Sequence, residues 1–117
     1  MNKNNASTIS VGNSKEDLAT EYLVKKGYTI LERNFRWKRS EIDIIGRVKN
    51  TIVFVEVKYR SNTNYGYPEQ FVDQKKVENI LRGAENYVSA TNWAGPIRFD
   101  IIAITNKEDI LHIEDAF

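Results

Sequence analysis

Three ionisable residues stand in or at the end of two apolar segments that are predicted to form adjacent strands. Asp43 lies within the run 42–45, and Glu56 and Lys58 lie at the end of the run 51–57. The turn-like residues between the two runs predict a hairpin. Charges in strands that are buried on both faces destabilise a fold by several kcal/mol unless something compensates them. We therefore expect a metal ion, a partner charge or both beside these side chains.

The chemistry open to these side chains follows from their spacing. Side chains alternate between the faces of a strand, so Glu56 and Lys58 should share a face, and Asp43 should point away from Ile42 and Ile44. If the hairpin brings the two acids together, the pKa of one of them rises unless a cation lies between them. Such a site suits Mg²⁺ or Mn²⁺, with Lys58 placed to hold a phosphate or orient an attacking water. The alternative is a surface ion pair of Glu56 with Lys58, which contributes under about 1 kcal/mol.

Composition limits the classes of protein to which the chain can belong. Its 117 residues, 41% hydrophobic and 28% charged, indicate one soluble domain. The net charge is only +1, so attraction to nucleic acid would have to come from local clusters of Lys and Arg. The lack of cysteine excludes disulfides, thiol nucleophiles and zinc–thiolate sites. No long apolar segment is present, which predicts a cytoplasmic protein with no membrane partner.

The single histidine leaves little room for histidine-based catalysis. His112 lies in the alternating run 110–113, and we expect it at the exposed position of an edge strand. Any catalysis would then depend on carboxylates and lysine.

The first elements that must position these residues precede the hairpin. Residues 1–13 are rich in Asn, Ser and Thr and predict a flexible tail before a single domain at 14–117. Ser14 can cap a helix that ends at Gly27 and carries one apolar stripe, formed by Leu18, Ala19, Tyr22 and Leu23. Glu16 lies in its first turn, where the helix dipole favours an acid, so a structural role is as well supported as a functional one.

A basic segment lies between this helix and the hairpin. Residues 28–34 predict a first strand, and residues 33–39 then hold four cations and two aromatic residues without an acid. Such a segment is either a solvated loop or a surface that contacts phosphates and bases. The sequence leaves both readings open.

A long helix is predicted after the hairpin and the polar loop at 60–68. Its apolar period continues to about Ala90. Lys75 should face water, whereas Lys76 shares the apolar stripe and should point toward the hairpin. A lysine near a helix start is disfavoured by the dipole, so a nearby anion would account for Lys76.

Two strands, at 97–105 and 110–114, close the chain, and Arg98 is expected to pair with Asp100 on one face of the first. The order is therefore helix, three strands, helix, two strands. An antiparallel meander followed by a helical crossover implies a mixed α/β sheet with a helix on each face.

With these residues in place, the chain resembles the PD-(D/E)XK nuclease superfamily. Within it, the chain resembles the small bacterial proteins of the YraN-like family, which are similar to archaeal Holliday-junction resolvases. The resemblance implies a restriction-endonuclease-like layer sandwich, with a mixed β-sheet in α-β-β-β-α-β-β order flanked by helices. It covers nearly the whole chain after the tail, and the matching segments are 16–19 with Tyr22 and Leu23, 27–28, 33–34, 41–45, 54–58 with Arg60, Lys76, 98–100 and 116–117.

The resemblance also implies a function. It points to a metal-dependent endonuclease that hydrolyses phosphodiester bonds in DNA, branched or structured DNA included. Asp43 and Glu56, helped by Glu16, would hold one or two Mg²⁺ or Mn²⁺ ions, while Lys58 orients or helps to deprotonate the attacking water. Five cations would contact backbone phosphates, namely Arg36, Lys38, Arg39, Arg60 and Lys76.

Two further expectations concern assembly and activity. Resolvase-like relatives act as symmetric dimers, which implies a homodimer here.

The alternative function is a catalytically inactive nucleic-acid-binding or assembly module that retains the nuclease fold. This chain has Ser40 and Lys15 where the family usually has glycine, and neither difference removes an expected metal ligand.

Overall fold

The computed structural model describes residues 15–60 and 73–117. The expected tail at 1–13, the Ser14 cap and the polar loop beyond residue 60 lie outside these ranges. The helices and strands follow in the predicted order, with α1 at 15–25, β1 at Thr29–Trp37, β2 at Ser40–Val48, β3 at Thr51–Arg60, α2 at Gln74–Thr91, β4 at Ile97–Thr105 and β5 at Ile110–Ile113. No helix in the described ranges is long and apolar enough to cross a membrane.

The strands form one mixed sheet in the order β1-β2-β3-β4-β5. The first three pair antiparallel, β4 pairs parallel to β3, and β5 pairs antiparallel to β4. A parallel pair needs a crossover connection, and the segment that contains α2 supplies it. The predicted α/β meander with a helical crossover is confirmed, and β3 is the central strand.

Each face of the sheet has its own apolar cluster. On one face, Leu23 of α1 packs against Val53 and Val55 of β3. On the other face, Ile80 of α2 packs against Phe54. Neighbouring residues of β3 thus point to opposite helices, as strand geometry requires. The apolar stripe predicted for the first helix is confirmed.

The regular alternation predicted for β2 is wrong at Asp43. Ile42 packs in the cluster under α2, whereas Ile44 packs in the cluster under α1. Pairing between β2 and β3 ends at Ile44 and Val55. In β1, Asn34 lies opposite Asp43 and takes a positive φ of 53°. The two strands of the hairpin therefore separate beside the first of the predicted acids.

The basic segment at 33–39 is mostly strand, so the interpretation of this segment as a solvated loop was wrong. β1 continues through Trp37, which pairs with Ser40, and the turn consists of Lys38 and Arg39. β1 is an edge strand, and an edge strand can pair on one side while its charged side chains remain in water. Polarity alone therefore did not mark the end of this strand.

Candidate metal and phosphate site

Glu56 lies in the central strand with only 3% of its surface exposed. The Lys76 Nζ atom of α2 lies 2.6 Å from Glu56 Oε2. The other oxygen, Oε1, is buried and has no hydrogen-bond partner among the described residues. A buried carboxylate oxygen without a partner is costly, so this atom marks a place where a cation or a water can bind.

Asp43 reaches the same region from β2. Its Oδ2 accepts a hydrogen bond of 2.8 Å from the backbone N–H of Val57, where β2 no longer supplies a ladder partner. Burial raises the pKa of Asp43 most strongly, and the negative charges of Glu56 and Glu16 raise it further. The Val57 N–H and the Lys76 ammonium oppose this rise, and the resulting pKa is about 7. The two acids therefore lie close enough to repel each other.

Glu16 and Lys58 border this pair of acids. Glu16 is half-buried on α1, and its charge acts on Asp43. Lys58 is half-buried on the same face of β3 as Glu56, because the pairing of β3 with β4 is regular there. Within residues 15–60 and 73–117, no group of three or more His, Cys, Asp or Glu side chains is close enough to hold a metal ion. The role of Glu16 as a further ligand stays a prediction.

The start of α2 brings Lys76 to Glu56. Asp73 caps the helix, its Oδ1 accepting a hydrogen bond of 2.8 Å from the Lys76 N–H. Burial lowers the pKa of Lys76, but its hydrogen bond to Glu56 and the charge of that acid outweigh burial and raise it. Lys75 is exposed. The predictions that Lys75 faces water and that Lys76 meets an anion at the hairpin are confirmed.

The other cations expected to contact phosphate lie around the β1–β2 turn and the end of β3. Arg36 of β1 forms an exposed ion pair with Glu41 of β2, with 3.1 Å between Arg36 Nη2 and Glu41 Oε2. The Lys38 Nζ atom lies 4.8 Å from the centre of the Trp37 ring. Arg39 lines a cavity of about 300 Å³ beside the start of α2. Arg60 is half-buried at the end of β3.

Two polar residues of α2 that sequence reasoning did not single out line the same region. Asn79 lines the 300 Å³ cavity and a second one of about 280 Å³, and Arg82 lines the second. Together with Lys75, they recur at positions i, i+4 and i+7, which places them on one helix face. A search for polar as well as apolar periodicity finds them.

A second polar cluster lies on the opposite face of the sheet. Asp100 is fully buried, and Arg98 donates hydrogen bonds of 2.9 and 2.8 Å to its two oxygens, so the predicted pair is confirmed. His112 Nε2 lies 2.7 Å from Asp100 Oδ2, and its side chain is only 4% exposed. The expectation of an exposed histidine was wrong because Tyr22 of α1 packs over it, with the Tyr22 hydroxyl 3.1 Å from Nδ1.

Comparisons with known proteins identify the family. The sequence profile of the family described as uncharacterised protein family UPF0102 matches residues 15–104. UPF0102 proteins of Cytophaga hutchinsonii and Persephonella marina are 45% and 50% identical, over 92% and 91% of this chain and 96% and 91% of their own. Among solved structures, Pyrococcus furiosus SfsA in complex with Ca²⁺ aligns with a TM-score of 0.35 and 15% identity, over 92% of this chain and 63% of that one, which is too weak a likeness to assign a fold. The chain therefore belongs to the UPF0102 family, the YraN-like proteins.

Proposed function

We propose that this protein is a Mg²⁺- or Mn²⁺-dependent endonuclease that hydrolyses phosphodiester bonds in DNA, branched or structured DNA included. The observation that carries the proposal is the buried, unpartnered Oε1 of Glu56 beside the carboxyl of Asp43. Two neighbouring acids destabilise a fold when both are charged, and a bound cation would relieve this repulsion.

The residues present fit a hard divalent cation. Asp43 and Glu56 offer carboxylate oxygens, the donors that Mg²⁺ and Mn²⁺ prefer. Mg²⁺ commonly uses one or two protein carboxylates and completes its shell with water and the phosphate oxygens of the substrate. Two carboxylates are therefore sufficient, and Glu16 adds negative charge to the site.

The roles of the protein side chains follow from their positions. When bound, a divalent cation supplies Lewis-acid activation of water and neutralises charge on the phosphoryl oxygens. Lys58, on the same face as Glu56, orients the attacking water and stabilises the negative charge that develops on the phosphate. Lys38 and Arg39 bind neighbouring backbone phosphates, which gives affinity without sequence preference.

A cleavage assay tests the proposal directly. Purified protein is incubated with labelled four-way junction, flap and linear duplex DNA, with Mg²⁺, Mn²⁺ or EDTA. We expect metal-dependent cleavage of at least one substrate, and a loss of about 100-fold or more in Lys58→Ala and Asp43→Asn. Lys107→Ala, which changes an exposed lysine in the β4–β5 turn, is the matched control and should cleave normally. No cleavage of any substrate, or equal cleavage by all variants, contradicts the proposal.

Metal binding can be measured apart from cleavage. Mn²⁺ should raise the melting temperature of the wild type and not that of Asp43→Asn, because a ligand that binds only the native state stabilises it. Glu85→Gln, at an exposed position of α2, should respond like the wild type.

A second candidate function is an inactive nucleic-acid-binding or assembly module. The ion pair of 2.6 Å between Lys76 and Glu56 favours it, because this pair partly neutralises the buried acid without a metal. DNA binding without any response to Mn²⁺ would support this candidate over the endonuclease.

Light scattering measures the mass of the protein in solution. A homodimer is expected if two equivalent strands of a junction are cut.

A further inference from the structure

The cavity of about 280 Å³ beside the β1–β2 turn differs in character from the acid pair. Its lining comes from the turn and from α2, and consists of Trp37, Lys38, Arg39, Ser40, Asn79 and Arg82. No acid is among these residues. It therefore presents three cations, one indole and one amide to whatever enters it.

The cations of this cavity are available to a ligand. Within the described ranges, no ion pair or hydrogen bond engages the side chain of Lys38, Arg39 or Arg82. All three residues are exposed. Three such cations around one concave site, brought together from two elements, attract an anion with more than one phosphate contact.

The indole adds a second kind of contact. Trp37 is half-buried, and the Lys38 ammonium lies 4.8 Å from the centre of its ring. A phosphate near the turn would draw this flexible ammonium to itself and leave the ring face to a base. Stacking on an aromatic ring beside a basic groove is how proteins bind single-stranded nucleic acid without sequence preference.

The cavity continues toward the acid pair. Arg39 and Asn79 also line the neighbouring 300 Å³ cavity, which Lys76 lines in turn. Lys76 contacts Glu56. Lys75 and two acids, Glu41 and Asp73, also line this neighbouring cavity; Glu41 pairs with Arg36, and Asp73 caps α2. A strand whose phosphate lies at the acid pair can therefore follow a path along α2 to Trp37 in which cations outnumber these two acids.

We propose that this cavity binds an unpaired nucleotide of single-stranded DNA, next to the phosphodiester at the acid pair. The inference rests on the proposed endonuclease function and narrows its substrate class to DNA with a single-stranded segment, such as a flap or an overhang. A volume of about 280 Å³ is near the lower limit of roughly 300 Å³ for small-molecule pockets, which suits one nucleotide and not a duplex. In a duplex the base faces are stacked on each other, so they are closed to Trp37.

Binding without cleavage provides the test. Fluorescence anisotropy in EDTA compares labelled dT12, rU12 and a 12-base-pair blunt duplex. The wild type should bind dT12 about 5-fold or more tighter than the duplex. Arg82→Ala should weaken dT12 binding by about 5- to 10-fold and reduce the salt dependence by about one phosphate contact. Lys107→Ala should bind like the wild type, and Arg82 is exposed, so its variant should fold.

Stacking is measured through Trp37. The chain has two tryptophans, so Trp93→Phe leaves Trp37 as the reporter. Its emission should be quenched by dT12 and not by the duplex. Equal affinity for duplex and dT12, an Arg82→Ala variant that binds like Lys107→Ala, or unchanged emission each overturns the inference. Tighter binding of rU12 than of dT12 overturns the assignment to DNA.

Failure of this inference is separable from failure of the proposed function. Because the binding assay contains no metal, dT12 binding with quenching can hold even where no substrate is cleaved, and then only the endonuclease proposal fails. If the protein instead cleaves blunt duplex with metal but does not bind dT12, only the single-strand inference fails.

Discussion

At the scale of single residues, the half-buried Asp43 and the buried Asp100 have opposite electrostatic surroundings. Asp43 lies beside other acids, and burial, Glu56 and Glu16 raise its pKa to about 7. Burial would also raise the pKa of Asp100, but hydrogen bonds from His112, Arg98 and a backbone N–H outweigh it and lower the pKa. The first aspartate weakens the fold when it is charged, whereas the second stabilises it. Sites that destabilise a fold are often functional sites.

Replacing Asp43 with Asn should therefore stabilise the metal-free protein above neutral pH. The folded-state pKa of Asp43 lies above the unfolded value, so the folded state binds the extra proton, and stability falls as pH rises from about 4 through 7. An Asn oxygen can still accept the Val57 N–H. At pH 8 in EDTA, urea denaturation should give Asp43→Asn about 2 kcal/mol more stability than the wild type, and no difference near pH 4.

The matched control for this substitution is Asp109→Asn, at an exposed position. It should show little change at either pH. If Asp43→Asn is less stable than the wild type at pH 8, Asp43 is a stabilising structural acid. That result would contradict the conclusion that its charged carboxyl destabilises the metal-free fold.

Much of the candidate site could be predicted at this scale, and the reason is local. Asp43 and Glu56 interrupt apolar runs, so their unusual setting is visible in neighbouring residues. His112 was predicted wrongly because its partner Tyr22 lies 90 positions away and covers it from another element. Alternation along a strand does not report whether a helix packs over it.

At the scale of elements, α2 approaches the start of β2 closely at Gly83. A Cβ at Gly83 would lie 2.7 Å from the Cβ of Ser40. Ser40 is buried, and its hydroxyl donates a hydrogen bond to the Asn79 carbonyl. The glycine on α2 thus sets the distance between the helix and the turn that carries Lys38 and Arg39.

Gly83→Ala should therefore destabilise the protein despite the better helix propensity of alanine. Alanine gains about 1 kcal/mol within a helix, but overpacking against Ser40 costs about 1–3 kcal/mol, and the helix would have to move. We expect a net loss of about 1 kcal/mol in chemical denaturation, accompanied by weaker dT12 binding.

A second substitution separates the clash from other effects. Ser40→Gly removes the Cβ that the new methyl group meets, so in the Gly83→Ala background it should restore part of the lost stability. If the effects of the two substitutions are simply additive, the proposed contact does not limit the approach of α2.

Element order and sheet topology could also be predicted, because hydrophobic period and turn residues are local signals. The bounds of β4 agree with the predicted 97–105. β1 was predicted to end three residues too early, since pairing of Trp37 with Ser40 overrides the polarity of the segment. The face change at Asp43 was not predictable, because it depends on where two strands separate.

At the scale of the whole molecule, the Asp100 cluster ties the last residues to the rest of the fold. Asp100 Oδ1 accepts a hydrogen bond of 3.1 Å from the Asp115 N–H. The Ala116 N–H donates to the Phe99 carbonyl at 2.7 Å, and the Phe117 ring stacks on that of Phe99. The Asp100 carboxyl lies on the face opposite the Lys76–Glu56 pair, whereas Phe99 and Phe117 pack on the α2 face. Substitution of Asp100 therefore tests stability separately from the proposed chemistry.

Asp100→Asn should lower stability at pH 7 by about 3 kcal/mol, because it removes the charge that Arg98, His112 and the Asp115 N–H surround. The lowered pKa of Asp100 gives stability that is present above the unfolded pKa, near 4, and is lost as pH falls through the folded value. The deficit of the variant should therefore shrink as pH falls below about 4, the reverse of the pH dependence expected for Asp43→Asn. Urea denaturation at pH 7 and pH 3 measures it, with Asp109→Asn as the control. A deficit as large at pH 3 as at pH 7 would assign the loss to packing, because the wild type and the variant differ in titration only at Asp100.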